Sequence, residues 1–321
     1  MITLRGPIVR NVIACGFVVI AAIGTTGCSN LSHSGLVLKT VVQTVDPYFH
    51  GAGIDGTAFE KVADRVYTFR WNWYRNLVID TDVGLVVIDP MNDRMAGALH
   101  EELGRRFPGK LVDTLIYSHY HLDHTRGGAV LAPRQVLAHE KCAFYWRTHD
   151  QRDIVAPTRW LSGDTVLEIG GVEIRALYLG LSHTDTLYAF HIPSARTVFT
   201  ADLGLVRAVA PDGVPDRYAP GYLEALDRVA RLDFDTFVPS HFGVGKRQDL
   251  VDWRDMTEEG RRLARDAVTR FGGPGVQEAQ MGRYFDAVYR PMKEKYGQWH
   301  GFSEMFILNL VRDIVGEALG A

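Results

Sequence analysis

Between residues 115 and 128 the chain reads Leu-Ile-Tyr-Ser-His-Tyr-His-Leu-Asp-His-Thr-Arg-Gly-Gly, and His119, His121, Asp123 and His124 fall within six of those residues. Three imidazoles and a carboxylate this close are costly to hold together unless a cation gathers them. Neutral imidazole with carboxylate is a donor set that suits zinc. The His-x-His spacing puts His119 and His121 on one side of an extended segment, because side chains there repeat every two residues. Asp123 and His124 follow where the chain must turn, and they can face a second centre.

These donors need elements to carry them. The apolar run Leu115–Tyr117 reads as the end of a buried strand that starts near Val112. Residues 62–73 alternate as a strand, and residues 77–79 and 85–88 flank an Asp-Thr-Asp-Val-Gly turn, which makes a hairpin. Residues 93–107 read as a helix stopped by Pro108. A short strand at 136–138 and then a helix follow. Hairpins are expected at 165–179 and 187–200, a helix at 222–232 and a strand at 236–238. Just past the ends of these later strands stand His183, Asp202 and His241, and sites in α/β sheets gather at such ends. Asp89, also at a strand end, is a candidate acceptor behind a ligand imidazole. Trp71, Trp73 and Tyr74 sit in a connection between strands and read as an apolar lid over the site.

The run from His119 to His124 resembles the His-x-His-x-Asp-His signature of the metallo-β-lactamase superfamily, and the later His183, Asp202 and His241 match its other motifs in order. The resemblance covers roughly residues 62–245. It implies an α/β chain folded as a four-layer αβ/βα sandwich. Beyond Gly245 the resemblance fades, and residues 246–321 read as a C-terminal helical extension packed on the domain, with Met281, Phe285, Val288, Met292 and Tyr296 striping one helix face. The resemblance further implies two Zn2+ ions as cofactors. His119, His121 and His183 would hold one, Asp123, His124 and His241 the other, and Asp202 would bridge. The implied chemistry is that of a binuclear zinc hydrolase, in which a metal-bridging hydroxide attacks a carbonyl-type substrate such as a lactone, thioester, ester or amide. Asp123 would orient the nucleophile and pass its proton to the leaving group.

The chain departs from the family pattern in its turns. Gly-His-Thr-Pro-Gly appears as Ser182-His183-Thr184-Asp185-Thr186, Gly-Asp as Ala201-Asp202, and Gly-His-Gly as Ser240-His241-Phe242. Asp202 stands where the commonest metallo-β-lactamases have Cys, and Leu205 stands where lactonases have Tyr. Three alternatives are carried: a β-lactam hydrolase, a mononuclear iron persulfide dioxygenase, and a non-catalytic ligand-binding lipoprotein.

The chain has 321 residues, a net charge of -3 and 46% hydrophobic residues, which fits an ordinary globular protein and gives nucleic acid no basic footprint. The partners expected are a small-molecule substrate and a membrane. Arg5 and Arg10 precede an apolar stretch at 12–23, and Gly24-Thr25-Thr26-Gly27 leads to Cys28. That order reads as a secretory signal, residues 1–27, ending at a junction similar to a bacterial lipobox. The protein is then exported to the periplasm or cell envelope, with a lipid anchor at Cys28. Residues 28–58 serve as a tether, and residues 59–245 form the metal-binding domain. Cys142 is left as an unpaired core thiol.

Overall fold

The computed structural model describes residues 55–148, 153–210, 216–272 and 282–319. The expected signal segment, Cys28 and all but the last residues of the tether lie outside them. No helix of the described residues is long and apolar enough to cross a membrane.

Residues 55–206 and 214–255 make one compact unit built on two mixed sheets flanked by helices. The first sheet orders its strands β1 (Thr57–Ala63), β2 (Val66–Trp71), β3 (Tyr74–Thr81), β4 (Gly84–Ile88), β5 (Val112–Ile116), β6 (Gln135–His139) and β7 (Arg159–Leu161). It is antiparallel from β1 to β4 and parallel from there to β7. The tether boundary therefore falls inside the first strand, which starts at Thr57. The expected single strand over 62–73 is two strands with a turn at Asp64-Arg65, where Arg65 adopts φ +59°.

Gly84–Ile88 is buried at every position, as a central strand covered on both faces must be. The crossover from β4 to β5 is the helix α1 (Asp93–Arg106). Asn92 caps it by accepting from the Met95 amide, and Met95, Ala96, Leu99 and Leu103 form its buried stripe. Gly127 ends the histidine loop at φ +81°. A Cβ there would meet the backbone of Asn92 and Asp93 at 2.7–2.8 Å, so only glycine lets the loop lie against the start of α1.

The second sheet orders β13 (Gly245–Lys246), β12 (Thr236–Pro239), β11 (Thr197–Thr200), β10 (Tyr188–Ile192), β9 (Val172–Tyr178) and β8 (Thr165–Ile169). Only β11 and β12 run parallel, joined through the helix Ala219–Ala230. Cys142 is fully buried at the start of the short helix Cys142–Trp146, and burial pushes its thiol up to about 12. It is a packing residue there.

Among the described residues, 207–210, 256–272 and 282–319 make the second unit. It holds most of the helix Arg247–Phe271, a π turn at Phe285–Tyr289, and the helices Arg290–Tyr296 and Phe302–Leu319. Of the expected stripe of Met281, Phe285, Val288, Met292 and Tyr296, the last three are buried, and the π turn changes the positions before them. Tyr284 and Tyr289 are buried and Phe285 is not, while Met281 lies outside the described residues. Within this unit Arg261 is buried and donates to Glu317 at 2.8 Å, and Phe302 stacks on Phe306 at 4.6 Å.

Candidate metal centre

All seven candidate ligands belong to the two-sheet unit, at the ends of its strands. β5 delivers His119 and His121, and the helical turn Leu122–Thr125 carries Asp123 and His124. β9 leads to His183, β11 to Asp202 and β12 to His241. Two groups of donors result, each with its ligand atoms within 4.8 Å of one another: His119, His121, His183 and Asp202, and then His124, Asp202 and His241. Asp202 belongs to both. Its Oδ2 lies 3.1 Å from His183 Nε2, 3.2 Å from His124 Nε2 and 3.6 Å from His119 Nε2, and its Oδ1 lies 2.7 Å from His241 Nε2.

Asp123 stands apart from the two groups. Its Oδ2 is 3.8 Å from His124 Nε2, accepts from the Tyr74 hydroxyl at 3.3 Å, and leaves the carboxylate half exposed.

The residues behind the ligands decide which ring nitrogen faces inward. Asp89 is fully buried. It accepts from the Ser118 amide at 2.7 Å, the Ser118 hydroxyl at 2.6 Å and His124 Nδ1 at 3.1 Å. An ionised carboxylate only accepts, so His124 carries its proton on Nδ1 and turns Nε2 to the centre. The Ser118 hydrogen is committed to Asp89, so Ser118 Oγ accepts from His119 Nδ1 at 2.9 Å, and His119 also turns Nε2 inward. The expected role of Asp89 is thus the geometry observed.

His119 Nε2 and His124 Nε2 are buried without a hydrogen-bond partner. Both lie close to Asp202 Oδ2, at 3.6 Å and 3.2 Å. Orphaned buried nitrogens aimed at a shared carboxylate are what a cation would satisfy, so the donor set fits divalent metal.

The electrostatics agree. Burial holds the His119 imidazole well below the usual histidine range, so it stays neutral. Burial alone would raise Asp202, but His124, His241 and His183 around it outweigh that and hold it well below the carboxylate range. Burial would lower His124, yet the Asp202 and Asp123 carboxylates raise it well above its ordinary value.

Two of these loops carry left-handed backbone at residues other than glycine. Asp202 adopts φ +52° and Phe242 φ +60°, the left-handed region that glycine favours. Ser240 Oγ accepts from the Asp202 amide at 3.1 Å and donates to Asp202 Oδ1 at 3.0 Å. Arg75, itself buried, donates from Nε to the Phe242 carbonyl at 2.9 Å and fixes the His241 loop. Asp185 and Thr186, which replace Pro-Gly, are also used. Thr186 Oγ1 accepts from the Tyr120 amide at 3.1 Å, and Asp185 Oδ1 accepts from the Tyr145 hydroxyl at 2.7 Å.

The three lid aromatics divide. Trp71 packs against the core of the first sheet. Trp73 stacks on His241 at 4.6 Å, and the Tyr74 ring lies 5.2 Å from it.

One partner has no signal in the sequence. Asp216 Oδ2 accepts from the Tyr120 hydroxyl at 2.6 Å and from His121 Nε2 at 3.2 Å. Burial pushes its carboxyl up, but the bonds from His121 and Tyr120 outweigh that and hold it at about 2.

A cleft of about 1200 Å3 opens elsewhere, among Arg75, Arg196, Asp235 and Lys246, and none of the seven donors lines it. Donor geometry, not concavity, marks this site.

Comparison with known proteins gives the same picture. Residues 76–241 match the family model described as the metallo-beta-lactamase superfamily. The chain is 29% identical to the 2,4-dinitroanisole O-demethylase subunit alpha of Nocardioides sp. (strain JS1661), over 80% of this chain and 78% of that one. It is 29% identical to the hydroxyacylglutathione hydrolase of Ruegeria pomeroyi (strain ATCC 700808 / DSM 15171 / DSS-3), over 52% of this chain and 61% of that one. Among solved structures, the stereoselective inverting sec-alkylsulfatase from Pseudomonas sp. superposes with a TM-score of 0.63 at 16% identity, covering 82% of this chain and 50% of that one. This last likeness concerns the fold.

Proposed function

The chain belongs to the metallo-beta-lactamase superfamily and is a metal-dependent hydrolase of it; from that premise we propose that it works as a binuclear zinc enzyme on an ester-like or thioester-like carbonyl substrate. The observation that carries this reading is the double use of Asp202, one carboxylate serving two adjoining donor groups. His119, His121 and His183 would hold one ion, and His124, His241 and Asp123 the other. Two zinc ions bound there supply the charge that polarises a carbonyl oxygen and brings the pKa of water from 15.7 towards ~7.

The chain's own residues do the rest. Asp123 Oδ2, held by the Tyr74 hydroxyl on the open side of the centre, takes the proton of the attacking water and delivers it to the leaving group. Burial raises the Tyr74 hydroxyl far above its ordinary value, so it remains a donor to that carboxylate. Asp89 and Ser118 keep the imidazoles in one tautomer throughout. A single iron held by two histidines and Asp202 would leave His124 and His241 without a use, which favours two zinc ions over the dioxygenase reading.

A second reading concerns the substrate's oxygen. The demethylase relative is named for removing a methyl group from an aromatic ether, and here an aromatic face, Trp73 and Tyr74, borders the site. Both readings are tested together. The purified protein should bind about two equivalents of zinc and turn over members of a panel holding lactone, thioester, β-lactam, aryl ester and nitro-substituted anisole substrates. A protein carrying one iron, no zinc, and consuming oxygen with a persulfide would overturn the hydrolytic reading.

Trp73→Ala should raise KM for aromatic substrates by about tenfold, the worth of one lost aromatic contact, with zinc content and Tm unchanged. A fall in Tm with KM unaltered would assign Trp73 to packing alone.

A further inference from the structure

Four of the five imidazoles present Nε2 to the centre, but His121 presents Nδ1, which lies 3.2 Å from His183 Nε2. A ring that faces inward through Nδ1 must be held from behind through Nε2. Asp89 and Ser118 perform that service for His124 and His119, and neither hydrogen-bonds to His121. We infer that Asp216, together with Tyr120, is the positioning pair that fixes His121 in its Nε2–H tautomer and so completes the first ion triad.

The geometry supports this at each atom. Asp216 Oδ2 is shared between the Tyr120 hydroxyl and His121 Nε2, so the carboxylate cannot swing away from the ring without losing both bonds. Tyr120 is in turn fixed on three sides. Its ring stacks on Tyr145 at 3.8 Å with the planes 7° apart, its carbonyl accepts from Trp146 Nε1 at 2.9 Å, and its amide donates to Thr186. Tyr145 closes the brace on Asp185, two residues after the ligand His183. Tyr120 alternates with the ligands on either side of it, so its side chain leaves the ion face and is free to act as a strut behind His121.

The brace is tied to metal rather than to folding by its unused capacity. Asp216 Oδ1 is buried without a partner, a costly arrangement in a residue kept only for stability. Carboxylates behind ligand imidazoles characteristically set metal affinity by 10–100-fold.

This inference rests on the metal-centre reading, and the test separates the two. The full chain is stripped of metal and titrated with zinc against a competing chromophoric chelator, as wild type and as Asp216→Ala, Asp216→Asn and Tyr120→Phe. His241→Ala, which lacks a donor of the other ion, identifies which binding step belongs to the triad. Asp216→Ala should weaken the triad's ion by 10–100-fold and leave the other ion's affinity and the Tm nearly unchanged. Asp216→Asn retains an acceptor for His121 and should fall between Ala and wild type. Tyr120→Phe should show a smaller loss at the same step. With cobalt in place of zinc, the visible band of the triad's ion should shift in Asp216→Ala.

Wild-type affinity for both ions in Asp216→Ala would overturn the inference. Equal weakening of both ions with a lowered Tm would overturn it as well, by showing general damage. A wild-type chain that takes up one equivalent overturns the binuclear reading instead, and the Asp216 comparison is then read on that ion. A chain that takes up none overturns both.

Discussion

Asp202→Ala is expected to empty both halves of the centre at once and to reduce hydrolysis by at least ~10²-fold, the loss typical of removing a positioned catalytic group. Among the described residues Asp202 is the one carboxylate within reach of four imidazoles, 2.7–3.6 Å from His241, His183, His124 and His119. Without it, two dications would approach each other with no shared carboxylate between them. Asp123→Ala should behave differently. Asp123 touches one half of the centre, so the triad's ion stays while turnover falls. Zinc stoichiometry separates the two variants, and Asp202→Ala binding two equivalents with unaltered affinity would remove the bridging role.

Asp89→Ala should produce the largest loss of stability of any single change at the site. Its carboxylate is the acceptor for the Ser118 amide, the Ser118 hydroxyl and His124 Nδ1, all buried. Leaving three such donors unpaired costs about 1–3 kcal/mol each. It also frees His124 to adopt the other tautomer and withdraw its lone pair. Urea unfolding of the metal-free protein should show a destabilisation of about 3 kcal/mol or more on that scale, and zinc binding at the His124 half should weaken as well. A variant with unchanged unfolding midpoint and two tightly bound ions would show that Asp89 is dispensable.

The donors were legible for a local reason. His119, His121, Asp123 and His124 are neighbours in sequence, and His183, Asp202 and His241 follow strands whose apolar runs are unmistakable. Asp89 was legible by the same rule of strand ends. Asp216 was not, because it meets Tyr120 and His121 across about 95 residues of chain, and no period or spacing relates them. The turn at Asp64-Arg65 has no signal in the sequence, because two residues leave the inward-outward alternation in step on both sides of it. The π turn at Phe285–Tyr289 inserts one residue into a helical repeat, which no apolar stripe reveals in advance. Asp202 and Phe242 adopt the left-handed backbone although neither is glycine, held by Ser240 and Arg75, and the sequence carries no sign of those supports.

The donors come from both sheets, His119 to His124 from the first and His183, Asp202 and His241 from the second. An ion held between them is therefore a cross-link between two halves of a sandwich whose ligands are up to 122 positions apart, from His119 to His241. Opening the sheets against each other requires giving up the ion, and mass action sets how strongly this is resisted. Free zinc at a hundred times its dissociation constant adds about 2.7 kcal/mol to the closed state. A zinc-filled centre would thus make the protein's lifetime a function of the zinc around it, with chelation exposing the seam between the sheets to proteases.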